Sequence, residues 1–553
     1  MTYEEKVSVP ALRFARFLDK FPTLYNVYVV ALISCVSALM FGFDISSMSA
    51  LLLNDSYLKF FKLPSTNMQS FITASMSLGS MLGCVLSTFV SEPFGRRTSL
   101  LVCSFFWCVG AAIQSSSQNR AQLIIGRIIS GIGIGFGSTV APVYCSEVSP
   151  RKRRGFIGGI FQLCVTIGIL VMYYIAFGLG HINGLAAFRI PWAIQIVPGI
   201  ILAVGVFFIP ESPRWLAKQD QWEESEFIVA RIQSGGDTHH PDVVTEMAEI
   251  KEQLIIEENA KAFKYSDLLK KKYAFRTFNA IFAQIWQQLT GMNALMYYVT
   301  YIFQMAGYTG NINLIASSIQ YVLNVVTTIP ALFLMDYVGR RPVLITGAVF
   351  MLIWHFAIGG LLATYGKPIS DFQGNDTVKI QIPKKNNKAA KGVIACSYLF
   401  VCSYACSWGV VSWVYCAEVW GENAARQRGA SLTTFFNWLF NFAIGMFTPP
   451  SFKNITWKTY MIFGAFCTTM ALHVFFVFPE TRGKRLEEIG QMWDNHIPAW
   501  KTDKWQPYVP IALEDENKHG INTEHKEHKE EAPSAEHDEN VASASPSDES
   551  PIS

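Results

Sequence analysis

The sequence lacks paired cysteines of the kind that form disulfides or bind metal ions. Its eleven cysteines lie in apolar stretches and none forms a C-x-x-C pair, so we predict no disulfide framework and no metal site. It also lacks a nucleophile–base constellation and a phosphate loop. The glycine run from Gly131 to Gly137 misses the G-x-G-x-x-G spacing, and no strand precedes it. These absences argue against an enzyme, a bound cofactor and a nucleic-acid partner.

Long apolar stretches are abundant instead. Of the 553 residues, 51% are hydrophobic, and about 20 apolar residues suffice for a helix to cross the hydrocarbon core of a bilayer. The polar, charged first 20 residues predict no cleaved signal peptide. The sequence therefore predicts an all-α membrane protein with twelve transmembrane helices, near residues 27–50, 70–90, 98–115, 122–145, 156–178, 190–209, 276–303, 312–335, 342–364, 392–417, 429–448 and 459–478.

A charged turn occurs twice, each time between two apolar stretches. Glu92-Pro-Phe-Gly95-Arg96-Arg97 recurs 244 positions later as Asp336-Tyr-Val-Gly339-Arg340-Arg341. Later repeats have offsets of 271 and 269, and a longer loop at 365–391 accounts for the difference of about 26 residues. The residues in these later repeats are Glu147 with Glu418 and Glu211 with Glu480. One duplication and one loop insertion explain the set, which predicts two six-helix bundles with a substrate site between them.

The repeat and the composition predict where the domains begin and end. Amphipathic segments rich in Glu and Lys mark a helical linker between the bundles. Residues 511–553 hold twelve acidic residues, three Lys and no aromatics, so we expect disorder from about residue 511. The predicted units are an N-terminal segment 1–26, a bundle 27–209, a linker 210–275, a second bundle 276–478 and a tail 479–553.

The distribution of basic residues predicts the orientation. An even number of helices puts both termini on one side, and the connections on that side are rich in arginine, which marks it as cytoplasmic. The 365–391 loop on the opposite side has six Lys and counts against this orientation, but the other connections outweigh it. Three N-x-Ser/Thr sequons fall in loops assigned to the outside and are candidate glycosylation sites: Asn54, Asn375 and Asn454.

The charged residues at the cytoplasmic ends of the helices are candidate gating residues. An arginine there can pair with an acidic residue or with helix-terminal carbonyls on a neighbouring helix, and so hold the cytoplasmic side shut. The alternative is that these charges only set the topology. The candidates are Glu92, Arg96, Arg97, Glu147, Arg154, Glu211, Arg214, Asp336, Arg340, Arg341, Glu418, Arg426 and Glu480.

These motifs carry a family resemblance over roughly residues 25–500. The two charged turns, Pro-Glu-Ser-Pro-Arg-Trp-Leu at 210–216, Gln-Gln-Leu-Thr-Gly-Met-Asn at 287–293 and Pro-Glu-Thr-Arg-Gly at 479–483 resemble the sugar porter family of the major facilitator superfamily. The sequences of several segments most resemble those of the fungal high-affinity glucose transporters, a proton-symporter group. The resemblance implies a monomeric sugar importer in the plasma membrane with both termini cytoplasmic.

Uncharged amides in the seventh predicted helix are candidate sugar ligands, because an amide matches the donor and acceptor of a hydroxyl. Gln284, Gln287, Gln288 and Gly291 share one helical face. A break near Gly291 would return Asn293 to that face. The alternative is that these amides tie helices together, at about 0.6–2 kcal/mol each.

The resemblance assigns sugar contacts to specific positions. Many relatives have prolines before the tryptophan of helix 10; their absence before Trp413 leaves the flexibility of that helix open. The arginines after Glu418 come one residue later than usual, which weakens the expected Glu418–Arg426 pairing. The sugar-contacting positions implied are Gln162, Gln287, Gln288, Asn293, Asn324, Trp413, Asn437 and Trp438.

One acidic residue lies deep in the first predicted helix. An ionised Asp44 there costs about 2.5 kcal/mol or more unless it is paired or hydrated. The resemblance pairs it with Arg127 as a proton-switching couple, which implies sugar/proton symport with glucose as the leading substrate and xylose as a further one. Some facilitative relatives keep this Asp, so a uniporter remains an alternative. A transporter-like sugar sensor is the other alternative, although such sensors carry far longer tails.

Overall fold

A computed structural model describes residues 21–52, 54–150, 153–182, 184–259, 264–308, 310–369, 377–420, 423–484, 486–495 and 497–505. All of these except Trp505 belong to one unit that ends at Lys504. The predicted acidic tail, the segment 1–20 and the sequon residue Asn375 lie outside the described residues. The side chains of Arg154 and Arg426 lie outside them too.

The first bundle is built from eight helices, four of which have a polar side-chain cap at their start. Ser65 accepts from the Met68 N–H at 3.4 Å and Asn119 from the Gln122 N–H at 2.8 Å, so both satisfy an orphan donor of a helix N-terminus. The helices are α1 (Val27–Ser34), α2 (Val36–Leu51), α3 (Asp55–Phe60), α4 (Thr66–Ser115), α5 (Arg120–Val148), α6 (Arg154–Leu179), α7 (Ala186–Ile194) and α8 (Ile196–Gly205), followed by a 3₁₀ turn, Val206–Phe208.

A connecting segment of short helices follows. Its first helix has Ser212 as N-cap and Pro213 in the first turn, a sequence favoured at helix starts. Trp215, Leu216 and Ile228 form a small buried cluster within it. The elements are α9 (Pro213–Lys218), α10 (Trp222–Gln233), α11 (Pro241–Asn259) and a 3₁₀ turn, Tyr265–Leu269.

The second bundle is again built from helices, and it also contains two short strands. The elements are α12 (Lys271–Leu289), α13 (Met292–Met305), α14 (Gly310–Val338), α15 (Arg340–Tyr365), β1 (Lys367–Pro368), β2 (Ile380–Gln381), a 3₁₀ turn (Lys384–Asn386), α16 (Asn387–Ala405), α17 (Trp408–Glu418), α18 (Asn423–Asn454), α19 (Lys458–Val477) and α20 (Leu486–Asp494), then a 3₁₀ turn, Ala499–Lys501.

Among the described residues, nine helical stretches are long and apolar enough to cross a membrane. One of them, Thr66–Ser115, contains two predicted spans that meet at a kink. The predicted spans 276–303 and 429–448 are helical but do not reach the same apolarity. They carry the amides of α12 and α18. These amides therefore explain both the low apolarity of the two spans and their polar contacts inside the protein.

Glycines let α4 and α5 pack closely. A Cβ on Gly79 would lie 1.9 Å from the Ile128 carbonyl oxygen, and one on Gly131 would lie 2.1 Å from that of Met76. On another face of α5, a Cβ on Gly133 would lie 2.6 Å from the Cys103 oxygen. The glycine run is therefore a pair of helix-packing faces, as small-xxx-small spacing predicts.

The described residues of the lengthened loop between α15 and α16 include two short strands that form a hairpin. Strands β1 and β2 pair antiparallel, with Lys367 opposite Gln381. The Ile382 N–H donates to the Met305 carbonyl at the end of α13 at 2.9 Å. The Thr377 and Thr66 hydroxyls lie 3.3 Å apart, which joins the loop to the first bundle. Composition indicated only a polar loop, because the buried residues that dock it are few.

Both charged turns bend at their glycine. Gly95 has φ +87° and Gly339 has φ +107°, conformations that L side chains rarely adopt. A Cβ on Gly95 would lie 2.4 Å from Glu211 Oε2, and one on Gly339 would lie 2.6 Å from Glu480 Oε2. Each turn therefore needs glycine for its backbone and for the carboxylate beside it.

Replacing Gly95 by alanine should lower the midpoint of thermal denaturation of the purified protein more than Gly184→Ala does. Gly184 has φ +90° with nothing within 4 Å of a Cβ, so its substitution isolates the backbone strain, about 1–2 kcal/mol. The additional loss in Gly95→Ala measures the displaced Glu211 carboxylate. Equal midpoints for the two variants would contradict this account.

Candidate substrate cavity and charged turns

Six of the eight sequence-predicted sugar positions line one cavity between the bundles. They come from α6, α12, α13, α14 and α17, so both halves contribute: Gln162, Gln287, Gln288, Asn293, Asn324 and Trp413. Phe41, Ile45 and Tyr404 add apolar and aromatic surface. Gln287 is 2% exposed and Asn324 is 1% exposed, so both of these lining amides are buried within the protein.

A helix break shapes the floor of the cavity. Helix α12 ends at Leu289, Gly291 adopts φ +81°, and α13 begins at Met292. The break brings the Asn293 Nδ2 to within 2.6 Å of Gln288 Oε1, to which it donates. The amides before and after the break therefore form one polar surface.

Asn437 lies behind this surface and contacts three glutamines. Its Nδ2 donates to Gln284 Oε1 at 2.5 Å and to Gln287 Oε1 at 2.7 Å. Its Oδ1 accepts from Gln288 Nε2 at 3.1 Å. Asn437 is absent from the cavity lining, and its described contacts orient the three glutamines.

Trp438 also lies outside the lining. Its ring packs edge-on against Phe41 at 4.7 Å, and its Nε1 donates to Ser138 Oγ at 3.0 Å. Because Phe41 and Ser138 belong to the first bundle, Trp438 joins the two halves beside the cavity.

The tenth predicted span breaks between α16 and α17 without a proline. Ser407 has φ −134° and ψ −90°, which separates α16 from α17. Its hydroxyl donates to the Ser403 carbonyl at 2.6 Å, and Gly347 opposite leaves room for the side chain. The break precedes Trp413, whose ring lies 5.1 Å from that of Phe161. The missing prolines therefore do not leave this helix continuous.

Asn441 is a polar neighbour of the site that the sequence analysis did not single out. Its Nδ2 donates to Gln288 Oε1 at 3.2 Å, and its Oδ1 accepts from Ser77 at 2.7 Å and Tyr297 at 3.2 Å. It stands four residues after Asn437, on the same helical face. Amide periodicity in the eleventh span would have indicated it.

Asp44 and Arg127 form an ion pair in the first bundle. Arg127 Nη2 donates to Asp44 Oδ2 at 2.8 Å and to the Thr73 carbonyl at 3.1 Å, and both side chains are fully buried. Asp44 Oδ1 and two Arg127 nitrogens have no hydrogen-bond partner among the described residues. The pair is therefore incompletely satisfied by the described residues.

The first charged turn forms a network within its own half. Arg96 Nε and Nη2 donate to Glu147 at 2.9 and 2.8 Å, a bidentate pair. The backbone N–H groups of Arg96 and Arg97 donate to Glu211 at 2.8 and 3.2 Å. Burial raises the pKa of Glu211, while the Ser212 N–H and the two arginines oppose this shift. The network joins α4, α5 and the segment after α8.

The second turn repeats the network atom for atom. Arg340 Nε and Nη2 donate to Glu418 at 3.2 and 2.9 Å, and the Arg340 and Arg341 N–H groups both donate to Glu480 at 3.0 Å. Ser212 donates to Glu147 in the first half, as Thr481 does to Glu418 in the second. Glu418 thus pairs with Arg340.

The first acidic residue of each turn reaches across to the other half. Arg428 Nη2 on α18 donates to Glu92 at 2.8 Å. Asp336 lies against the start of α6, where a Cβ on Gly155 would be 2.1 Å from its Oδ1. It also lies 3.3 Å from Arg340 Nη1. A carboxylate at a helix N-terminus is favoured by the helix dipole. The predicted gating residue Arg214 is buried at the start of α9.

Two bundles of broken and kinked helices around a buried polar cavity define a secondary transporter of the major facilitator fold. A solved structure shares this fold. The proton:xylose symporter XylE bound to 6-bromo-6-deoxy-D-glucose has a TM-score of 0.70 at 24% identity, over 85% of this chain and 99% of that one.

Sequence comparisons give the family. The profile of the family "Sugar (and other) transporter" matches residues 30–493. The chain is 61% identical to "High-affinity glucose transporter 1" of Candida albicans, over 95% of this chain and 96% of that protein. It is 55% identical to "High-affinity glucose transporter" of Kluyveromyces lactis, over 92% and 93%. The chain belongs to the sugar transporter family and is a multi-pass membrane protein.

Glu147→Gln and Glu418→Gln should destabilise the protein to similar extents, by about 3–5 kcal/mol, because each leaves a buried arginine without its carboxylate. The double variant Arg96→Gln/Glu147→Gln should lose less than the sum of its singles. Thermal denaturation of purified variants measures both effects. Glu223→Gln, on an exposed residue of α10, is the control. A loss confined to one of the two turns would contradict their equivalence.

Proposed function

We propose that this protein imports hexoses, with glucose as the principal substrate, by alternating access. The observation that carries the proposal is the cavity in which Gln162, Gln287, Gln288 and Asn293 converge beside Trp413. The relatives named as high-affinity glucose transporters support glucose as the sugar, and xylose is a further candidate.

The amides suit a sugar because each offers a donor and an acceptor to neighbouring hydroxyls. In the structure these amides bond to one another, as Asn293 does to Gln288. A sugar would exchange these bonds for amide–hydroxyl bonds, an exchange that is nearly neutral for each bond. The Trp413 ring would cover the apolar face of the pyranose.

Contacts between the bundles at both ends support an occluded state. At the charged-turn end, the Ser431 hydroxyl donates to the Cys84 carbonyl at 2.7 Å and Arg428 pairs with Glu92. At the other end, Tyr321 donates to Ser49 at 3.2 Å. Opening toward one side requires the contacts at that end to separate while those at the other end persist. The Arg96 and Arg340 networks would move as rigid parts.

We assign the transport of one proton with the sugar to Asp44 and Arg127. Protonation of Asp44 would weaken the ion pair and change the balance between outward and inward forms. One proton moving down 100 mV supplies about 2.3 kcal/mol. That corresponds to about a fiftyfold concentration ratio of sugar at 1.4 kcal/mol per tenfold.

We also propose an orientation, a location and glycosylation sites for the protein. The charged-turn end faces the cytoplasm of a plasma-membrane monomer, with both termini on that side and the domain limits given by the repeat. Asn54, Asn375 and Asn454 are the glycosylation candidates. Asn54 caps α3 through its side-chain oxygen, whereas Asn454 is exposed at the end of α18.

Expression in a yeast that lacks its hexose transporters should restore uptake of radiolabelled glucose. Gln288→Leu removes two hydrogen-bonding groups at nearly constant volume and should raise the KM at least tenfold, since a lost buried hydrogen bond costs about 1–3 kcal/mol. Gln491→Leu, on an exposed residue of α20, is the control. Correctly localised wild type without uptake would favour the sensor alternative.

Collapse of the proton gradient by an uncoupler should abolish glucose accumulation by the wild type. Asp44→Asn should lose accumulation and its pH dependence, yet retain exchange of labelled for unlabelled glucose. Asp55→Asn, on the short helix α3, should behave as wild type. Wild-type uptake that is unchanged by the uncoupler and by external pH would favour the facilitative uniporter instead.

A further inference from the structure

The helix break in the cavity floor leaves a backbone carbonyl to be satisfied. The Thr290 hydroxyl donates to the Gln287 carbonyl at 2.7 Å, and helical bonds resume only with Leu295 N–H to the Gly291 carbonyl at 3.0 Å. The carbonyl of Thr290 therefore lies at the end of α12, inside the protein. A buried carbonyl without a donor costs about 1–3 kcal/mol.

His355 on α15 supplies that donor. Its Nε2 lies 2.8 Å from the Thr290 carbonyl oxygen, and its side chain is 0% exposed. Because a carbonyl only accepts, Nε2 carries the hydrogen. The Nδ1 has no hydrogen-bond partner among the described residues, so the bond to Thr290 is the polar contact by which the ring is held.

Aromatic rings fix the imidazole in place. Phe400 lies 4.4 Å and Phe463 5.6 Å from its centroid. Phe463 also packs under the break, where a Cβ on Gly291 would lie 2.9 Å from the ring. The same ring therefore contacts both the histidine and the left-handed glycine, so the imidazole and the break form one unit.

We propose that His355 is a positioning residue for sugar binding, although it does not line the cavity. Its N–H holds the Thr290 peptide at the angle that ends α12, and this angle sets Gln288 against Asn293 across the break. The inference rests on the proposed function of those two amides as sugar ligands. Without the donor, the peptide would rotate toward another partner and carry Asn293 away from Gln288.

Two substitutions separate the hydrogen bond from the packing. His355→Gln can place an amide N–H at the reach of Nε2, whereas His355→Phe keeps an aromatic ring without a donor. In transport-deficient yeast, we expect His355→Phe to raise the glucose KM about tenfold, equivalent to about 1.4 kcal/mol, with Vmax per surface transporter changed less than threefold. His355→Gln should stay within threefold of the wild-type KM.

A measurement on purified protein accompanies the uptake assay. Glucose should raise the melting temperature of wild type and His355→Gln, and should need about tenfold higher concentrations to do so for His355→Phe. If His355→Phe fails to reach the membrane, His355→Met fills the site without a donor and carries the same test.

The outcomes distinguish this inference from the proposed function. Wild type that neither binds nor transports glucose would overturn the function itself. Wild type that transports, with equal KM values for all His355 variants, would overturn the positioning role alone. Equal losses in the glutamine and phenylalanine variants would also overturn it, because the donor would then not be what matters.

Discussion

The bidentate bond between an arginine and a carboxylate at the helix ends is the interaction on which the two-bundle design depends. Arg96–Glu147 and Arg340–Glu418 are each buried, and a second carboxylate accepts the backbone N–H groups of the same turn. Breaking such a buried pair strands a charge. Each half is therefore held together at its charged-turn end.

That surface is polar where the sugar would bind, and this requirement shapes the helices around it. Polar groups away from water must bond to one another, so the amides of α12 face those of α18. There, Asn437 Nδ2 donates to the side-chain oxygens of Gln284 and Gln287. The backbone breaks at Gly291 and Ser407 are both buried, and irregular segments are tolerated there because protein rather than lipid surrounds them.

Much of the fold and part of the candidate site could be predicted from the sequence. The class, the twelve spans and the family follow from hydropathy and ordered motifs, because lipid permits few alternatives. The convergence of Gln162, Gln288 and Trp413 follows from resemblance. Other features depend on neighbours distant in sequence. Asn437 stands behind the amides, and His355 was not predicted, because a single histidine in an apolar helix shows neither its carbonyl partner nor the rings around it.

The hairpin in the loop between α15 and α16 makes the duplicated halves mechanically unequal. Ile382 is bonded to the last turn of α13, and Thr377 reaches Thr66 of the first bundle. The half-helix that bears Asn293 therefore has a tether at its far end. Any tilt of α13 must therefore break this bond or move the loop with the helix. The inserted residues thus restrain α13 in one of two halves that the duplication made alike.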